Sequence, residues 1–186
     1  FLLLTFPTAK ATHCYDFNSE KWHERPLWIQ ETNSEDAAHA VFHCFAFNKH
    51  LMGDRTTGAL YEMSNAFGTE VDGRVMRRVR RAPSVIAMHR RVFFTAFEVL
   101  LQSGLGLQTG QGSSPTVMMR KSNDFGQTFS NERSLSAGGP GQYSKRVKFW
   151  NCGAARGRVF EITVTDPTPW RITDAFLTLE GSTEAA

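Results

Sequence analysis

Hydrophobic and polar positions alternate along this chain in short runs, separated by turns rich in Gly, Asn, Asp and Ser. That is the period of β-strands, whose successive side chains point to opposite faces; no long stretch carries the 3.6-residue period of a helix. FLLLTF (1–6) leads through Pro7-Thr8 into THCYDF (12–17), and Asn18-Ser19-Glu20-Lys21 turns that strand into WHER (22–25). In AVFHCFAF (40–47), Val41, His43, Phe45 and Phe47 share one face, and Phe42, Cys44 and Ala46 the other. After Gly53-Asp54 and a Thr56-Thr57-Gly58 turn, ALYEM (59–63) pairs back.

The second half has longer strands. RVFFTAFEVLLQ (91–102) is apolar on both faces, as a central strand between two layers would be. TVMMRKS (116–122) and QTFSNERS (127–134) flank a tight turn, and RVKFW (146–150) precedes RVFEITVT (158–165). Strict alternation in the latter places Phe160, Ile162 and Val164 inward and Glu161, Thr163 and Thr165 outward, and AFLTLE (175–180) closes the series. The expected core is Trp22, Phe42, Phe94, Phe97, Phe160, Ile162 and Leu177.

The fold class expected is all-β, with β-propeller-like blades followed by a β-sandwich-like region and helix limited to short turns. Partial blades occupy 1–64, and the sandwich-like region occupies 65–180, with a flexible loop at 104–115 (GLGLQTGQGSSP) and a disordered tail at 181–186. Tyr15-Asp16 followed by Trp22 has the spacing of a kelch-type blade hairpin. A blade takes roughly 40–50 residues and at least four close a ring, so residues 1–73 hold fewer than two. FLLLTF is too short for a signal-peptide core and lacks a basic flank and an initiator Met. The expectation is a chain that begins inside a longer protein, with further blades upstream.

Composition sets bounds. With 41% hydrophobic and 21% charged residues the chain is ordinary for a globular protein, and 15 Phe suit packing between sheets. No apolar run approaches the roughly 18 residues of a membrane helix, so no membrane insertion by this segment is expected. Cys14, Cys44 and Cys152 are far apart, odd in number and without a CxxC, which points to buried free thiols in a reducing cell. The net charge of +3 hides an asymmetry: residues 1–73 hold five bases and ten acids, whereas 74–91 hold seven Arg and no acid.

Few residues suggest chemistry. His39 and His43 lie some 13 Å apart on a strand rising about 3.3 Å per residue, too far to share a metal. The glycines of 104–115 lack the Lys-Ser/Thr ending of a phosphate loop. No nucleophile elbow or triad spacing occurs, so no catalytic, metal or cofactor residues are assigned. SNDFGQTF (122–129) matches an Asp-box, in which Ser122, Asp124, Gly126, Thr128 and Phe129 build a hairpin turn: Asp124 accepts turn amides, Gly126 takes a positive φ, and Phe129 anchors the returning chain. The stripe GRVMRRVRRAP (73–83) offers Arg77, Arg78, Arg80 and Arg81 on both faces of an extended segment. Arg on both faces suits an exposed edge that meets a neighbouring subunit's acids, DNA phosphates, or solvent alone.

Taken in order, GDRTTGALYEM (53–63), RRAP (80–83), GLGLQTGQGSSPTVMMRKSNDFGQTFSNE (104–132) and GRVFEITVTDPTPWRITDAFL (157–177) resemble the packaged-DNA stabilisation, or tail nozzle, proteins of short-tailed bacteriophages. TFPTAKATHCYDFNSEKWHER (5–25) is similar to the upstream part of that family. The resemblance implies a structural virion protein, not an enzyme. It implies a homohexameric ring at the end of the tail that retains packaged DNA and lets it pass at ejection. Its partners would be a tail adaptor or hub protein, tail fibres or spikes and, non-specifically, the packaged DNA, with assembly in the host bacterial cytoplasm. The alternative is a carbohydrate-directed protein, a sialidase-like hydrolase or glycan-binding module, suggested by the Asp-box and blade pattern. A hydrolase needs a carboxylate pair or a Tyr nucleophile beside Arg, and Tyr15, Tyr61 and Tyr143 all sit in packing or turn contexts.

Overall fold

A computed structural model describes residues 1–86 and 90–183 of the chain. They fall into two compact units divided between Met76 and Arg77, later than the boundary expected at 64/65. Among the described residues the only helical element is a 3-10 turn at Val71–Gly73.

In the first unit β1 (Leu2–Phe6), β2 (Ala11–Asp16) and β3 (Lys21–Glu24) form an antiparallel meander, and β4 (Leu27–Ile29) pairs with β5 (Ser34–Asp36). A second meander follows from β6 (Ala40–Ala46), β7 (Lys49–Asp54) and β8 (Leu60–Met63). The two meanders repeat. Tyr15 faces Trp22 and Cys14 faces His23 as Gly53 faces Leu60 and Met52 faces Tyr61, each position displaced by 38 residues (16 to 54, 22 to 60). Asp16 and Asp54 end the same strand of each repeat and cap the turn that follows, accepting the N–H of Asn18 (3.0 Å) and of Thr56 (2.5 Å).

Cys14, Thr12, Leu27 and Ala37 are buried, and the Ala38 N–H bonds the Thr12 hydroxyl at 2.9 Å. The face of the first meander that carries Trp22 is open. Trp22 is 55% exposed and Phe42, on the second meander, 72%, so neither belongs to the core expected of them. Alternation tells which residues share a strand face; whether anything covers that face is a tertiary matter. Cys44 is likewise exposed, whereas Cys14 and Cys152 are buried free thiols.

The second unit comprises β9 (Arg78–Arg81), β10 (Val85–Ile86), β11 (Arg91–Leu101), β12 (Thr116–Ser122), β13 (Arg133–Ser136), β14 (Val147–Ala155), β15 (Gly157–Val164) and β16 (Ile172–Thr183). One sheet runs β14-β11-β16; the other runs β10-β15-β12-β13, with β9 also pairing along β15. Between them lie Phe94, Phe97, Phe149, Phe160, Val117, Met119 and Ile162, all buried, with Leu177 partly buried against them. Phe97 and Phe160 stack across the sheets at 4.5 Å. This is a β-sandwich whose core is aromatic.

Several expectations change here. β11 is central in its sheet, but its outer residues Phe93 and Leu100 are nearly half exposed, so only one of its faces is covered. β15 is buried throughout. Glu161 and Thr163 face away from the core as expected but are buried, because neighbouring side chains close over that sheet's outer face. β13 spans Arg133–Ser136, so only the last two residues of the returning strand expected at 127–134 are strand. β16 extends to Thr183 through pairing with Arg91, so 181–183 are strand, not tail, and 184–186 lie outside the described residues. The 104–115 segment uses its glycines for close approach: Gly104 and Gly112, both at positive φ, abut the Tyr143 ring and the Thr168 methyl, and the Leu107 N–H bonds the Gly112 carbonyl at 2.8 Å.

Candidate functional site

The arginine stripe folds as the edge strand β9, antiparallel to β15, with Arg81 opposite Glu161 and Arg80 opposite Ile162. Arg81 donates through Nε (2.9 Å) and Nη2 (2.7 Å) to one Glu161 oxygen, and Arg120 on β12 donates through Nε to the other. The Glu161 side chain is wholly buried, while Arg81 keeps 55% exposure and Arg120 29%. Burial pushes the Glu161 carboxyl up, but the hydrogen bonds and charges of Arg120 and Arg81 outweigh it and hold the group below the usual carboxylate range. Both guanidinium groups lie over the Phe129 ring, at 4.5 Å for Arg120 and 5.0 Å for Arg81.

Arg78 donates to the Asp166 carbonyl at 2.9 Å, and the Asp166 carboxylate accepts the Thr116 N–H at 2.7 Å. Of the four candidates for subunit or DNA contact, Arg78 and Arg81 are thus engaged inside their own sandwich, which the sequence did not disclose. Arg77 is half-buried and Arg80 exposed.

The Asp-box closes the connection from β12. Asp124 accepts the N–H groups of Gln127 (3.1 Å) and Thr128 (2.9 Å) and the hydroxyls of Ser122 and Thr128, while Ser122 Oγ accepts the Gly126 N–H at 2.8 Å. The Ser122 and Thr128 hydrogen bonds hold the Asp124 carboxyl far below its ordinary value. Phe125 (φ 60°) and Gly126 (φ 96°) make consecutive left-handed steps. Phe129 returns onto the arginines. Both Asp124 oxygens serve the turn itself.

Asn123, one of the residues the Asp-box pattern leaves free, has a partner that sequence reasoning missed. Its side-chain carbonyl accepts from Nε (3.1 Å) and Nη2 (3.0 Å) of Arg158, which is 1% exposed and stacks on Phe94 at 4.5 Å. Arg158 Nη1 donates to the carbonyls of Cys152 (2.5 Å) and Gly153 (3.1 Å) on the opposing sheet. Lys121 also donates to the Cys152 carbonyl, and Arg133 donates to the Trp150 carbonyl at 2.7 Å. Asn151 and Gly153, both at positive φ, sit at a register shift in β14 that turns these carbonyls toward the basic side chains. Burial lowers the basicity of Arg158 and, aided by the Arg158 charge, that of Lys121. The signal in the sequence was a lone Arg within the apolar run RVFEITV.

His43 Nε2 lies 2.9 Å from His50 Nδ1, His39 is not part of that pair, and no cluster of three or more His, Cys, Asp or Glu suited to a metal occurs among the described residues. Tyr15 packs on Trp22 at 5.0 Å and Tyr61 donates to Asp54 at 3.2 Å. Among the described residues no helix is long and apolar enough to cross a membrane, which leaves strands unaddressed.

Residues 77–180 match a protein-family model described as "Bacteriophage P22 Gp10, beta-sandwich", more than half of the chain and within the second unit. No curated protein matches the chain.

Proposed function

The chain belongs to the bacteriophage P22 Gp10 β-sandwich family, and we propose that, as a structural protein of the phage tail, it forms part of the nozzle that closes the tail channel. In this reading six copies form a ring below a tail adaptor or hub protein, beside fibres or spikes. The ring retains packaged DNA and lets it pass at ejection. The single observation that carries the proposal is the family match over the sandwich.

Other features support it. The first unit repeats a meander every 38 residues (Asp16 to Asp54), close to the roughly 40–45 residues of a propeller blade, and leaves aromatic strand faces open for neighbours. The arginine edge suits contact with carboxylates through paired hydrogen bonds, or non-specific contact with DNA phosphates. The carbohydrate-directed reading gains nothing from the Asp-box, whose carboxylate is spent on its own turn.

The test is DNA retention. Particles assembled without the protein should lose packaged DNA to added nuclease, and supplying the chain in its full-length context should restore protection. Particles that hold their DNA equally well without it would contradict a nozzle role.

A further inference from the structure

The two outer faces of the sandwich differ. On the sheet that holds β15, Arg81, Arg120 and Phe129 close over the strand, and Val159, Glu161 and Thr163 are buried. On the β14-β11-β16 sheet, Phe93, Leu100, Trp150 and Phe176 point away from the buried Phe94, Val99 and Phe149 and stay about half exposed. β11 is thus apolar on both faces while only one is covered. A central strand of that kind suits the middle of three layers, and a contiguous exposed apolar patch marks an interaction surface.

The second meander of the first unit offers a surface to match. Phe42 and Leu60, 72% and 71% exposed, flank Gly53 in register. The first repeat has Tyr15 at that position, between Leu2 and Trp22. A Cβ on Gly53 would lie 3.7 Å from the Phe42 ring and 4.0 Å from the Leu60 side chain, so the missing side chain leaves a shallow notch bordered by both.

Charge selects between the possible pairings. Residues 1–76 hold six bases and ten acids, and residues 77–186 hold fifteen bases and eight acids. The units therefore keep net charges of opposite sign even after the ion pairs inside each are counted. First unit against first unit, or sandwich against sandwich, sets like charge against like; only first unit against sandwich is complementary.

We propose that the outer face of the β14-β11-β16 sheet in one copy docks on the Phe42–Leu60 face of the next copy, with the Trp150 ring seated at the Gly53 notch. The contact is heterologous. Every copy gives one face and receives on another, all copies point the same way, and such a series closes as a ring. The inference rests on the reading of the chain as a homo-oligomeric ring and goes beyond it by naming the two faces that meet.

The test follows sedimentation of the full chain, of Trp150→Ser and of Phe42→Glu, alone and mixed. Thermal unfolding confirms that each variant folds, and Phe176→Ser or Leu60→Glu replaces one that does not. Each variant loses one face, so each alone should associate at least about tenfold more weakly than the unmodified chain. Mixed in equal amounts, the two bring together the intact face of each and should form pairs that grow no further. A full chain that stays monomeric at every concentration overturns the ring reading and this one with it. Association untouched by either variant, or a mixture that fails to pair or grows beyond pairs, overturns the choice of faces and leaves the ring reading standing.

Discussion

Glu161 and Arg81 meet across β15 and β9, the carboxylate wholly buried and the guanidinium donating twice to one of its oxygens, at 2.9 and 2.7 Å. Removing Glu161 takes away charge-assisted hydrogen bonds but leaves two arginines that solvent reaches, so the cost is about 2–3 kcal/mol. Glu161→Ala should therefore destabilise the sandwich by about that much in urea unfolding, leaving Arg81 and Arg120 facing each other. Phe160→Ala, which opens a cavity under Phe97, should cost about 3–5 kcal/mol. Adjacent residues on opposite faces of one strand should thus both be intolerant, whereas Trp22→Ala should cost less than about 1 kcal/mol in the same assay, since that ring is more than half exposed.

The same carboxylate sets a pH dependence. Its folded-state pKa lies below its ordinary value of 4.5, so the unfolded chain takes up a proton at higher pH than the folded one. The stabilisation is fully present above about pH 4.5 and is lost as the pH falls through the folded-state value. Stability measured between neutral pH and pH 3 should decline at the acid end. Glu161→Gln, which has no proton to gain there, should show a shallower decline from a lower starting point.

The Asp-box should behave as a structural turn. Asp124→Ala removes the acceptor of four donors in an exposed turn and should lower the unfolding temperature, with Gly126→Ala costing about 1 kcal/mol through its positive φ. Both follow from thermal unfolding.

Arg158→Leu should loosen the turn at a distance. It leaves the Cys152 carbonyl to Lys121 alone and strands the Asn123 side chain and the Gly153 carbonyl, a cost of about 2–3 kcal/mol. Hydrogen exchange should quicken in residues 122–128 and 150–154 together. Quickening confined to one of them would show that Arg158 does not link the two sheets there.

The strand pattern was legible because alternation is local: the phase of β15 and the buried Phe94, Phe97, Phe160 and Ile162 follow from it. Coverage was not legible. Trp22 and Phe42 carry the signature of core residues but lie on meander faces that no described residue covers, while Glu161 carries the signature of a surface residue but is roofed by Arg81, Arg120 and Phe129. The roof is assembled from three separate segments, and nothing in RVFEITV announces it. The 38-residue repeat was present in the letters, as Asp-x-Asn-Ser before Trp22 and Asp-x-Thr-Thr before Leu60. Shared register makes it plain. Ser122, Asp124, Gly126 and Thr128 of the Asp-box were found because each acts within its own turn. Arg158 was not, because its partners come from the turn after β12 and from the opposing sheet.

The central claim, a subunit ring closing a phage tail, is tested most directly by electron micrographs of virions carrying a tag on this chain. The account predicts label confined to the far end of the tail, averaging to a six-copy ring around the channel. Label on the capsid, scattered along fibres, or absent from particles that retain their DNA would contradict it.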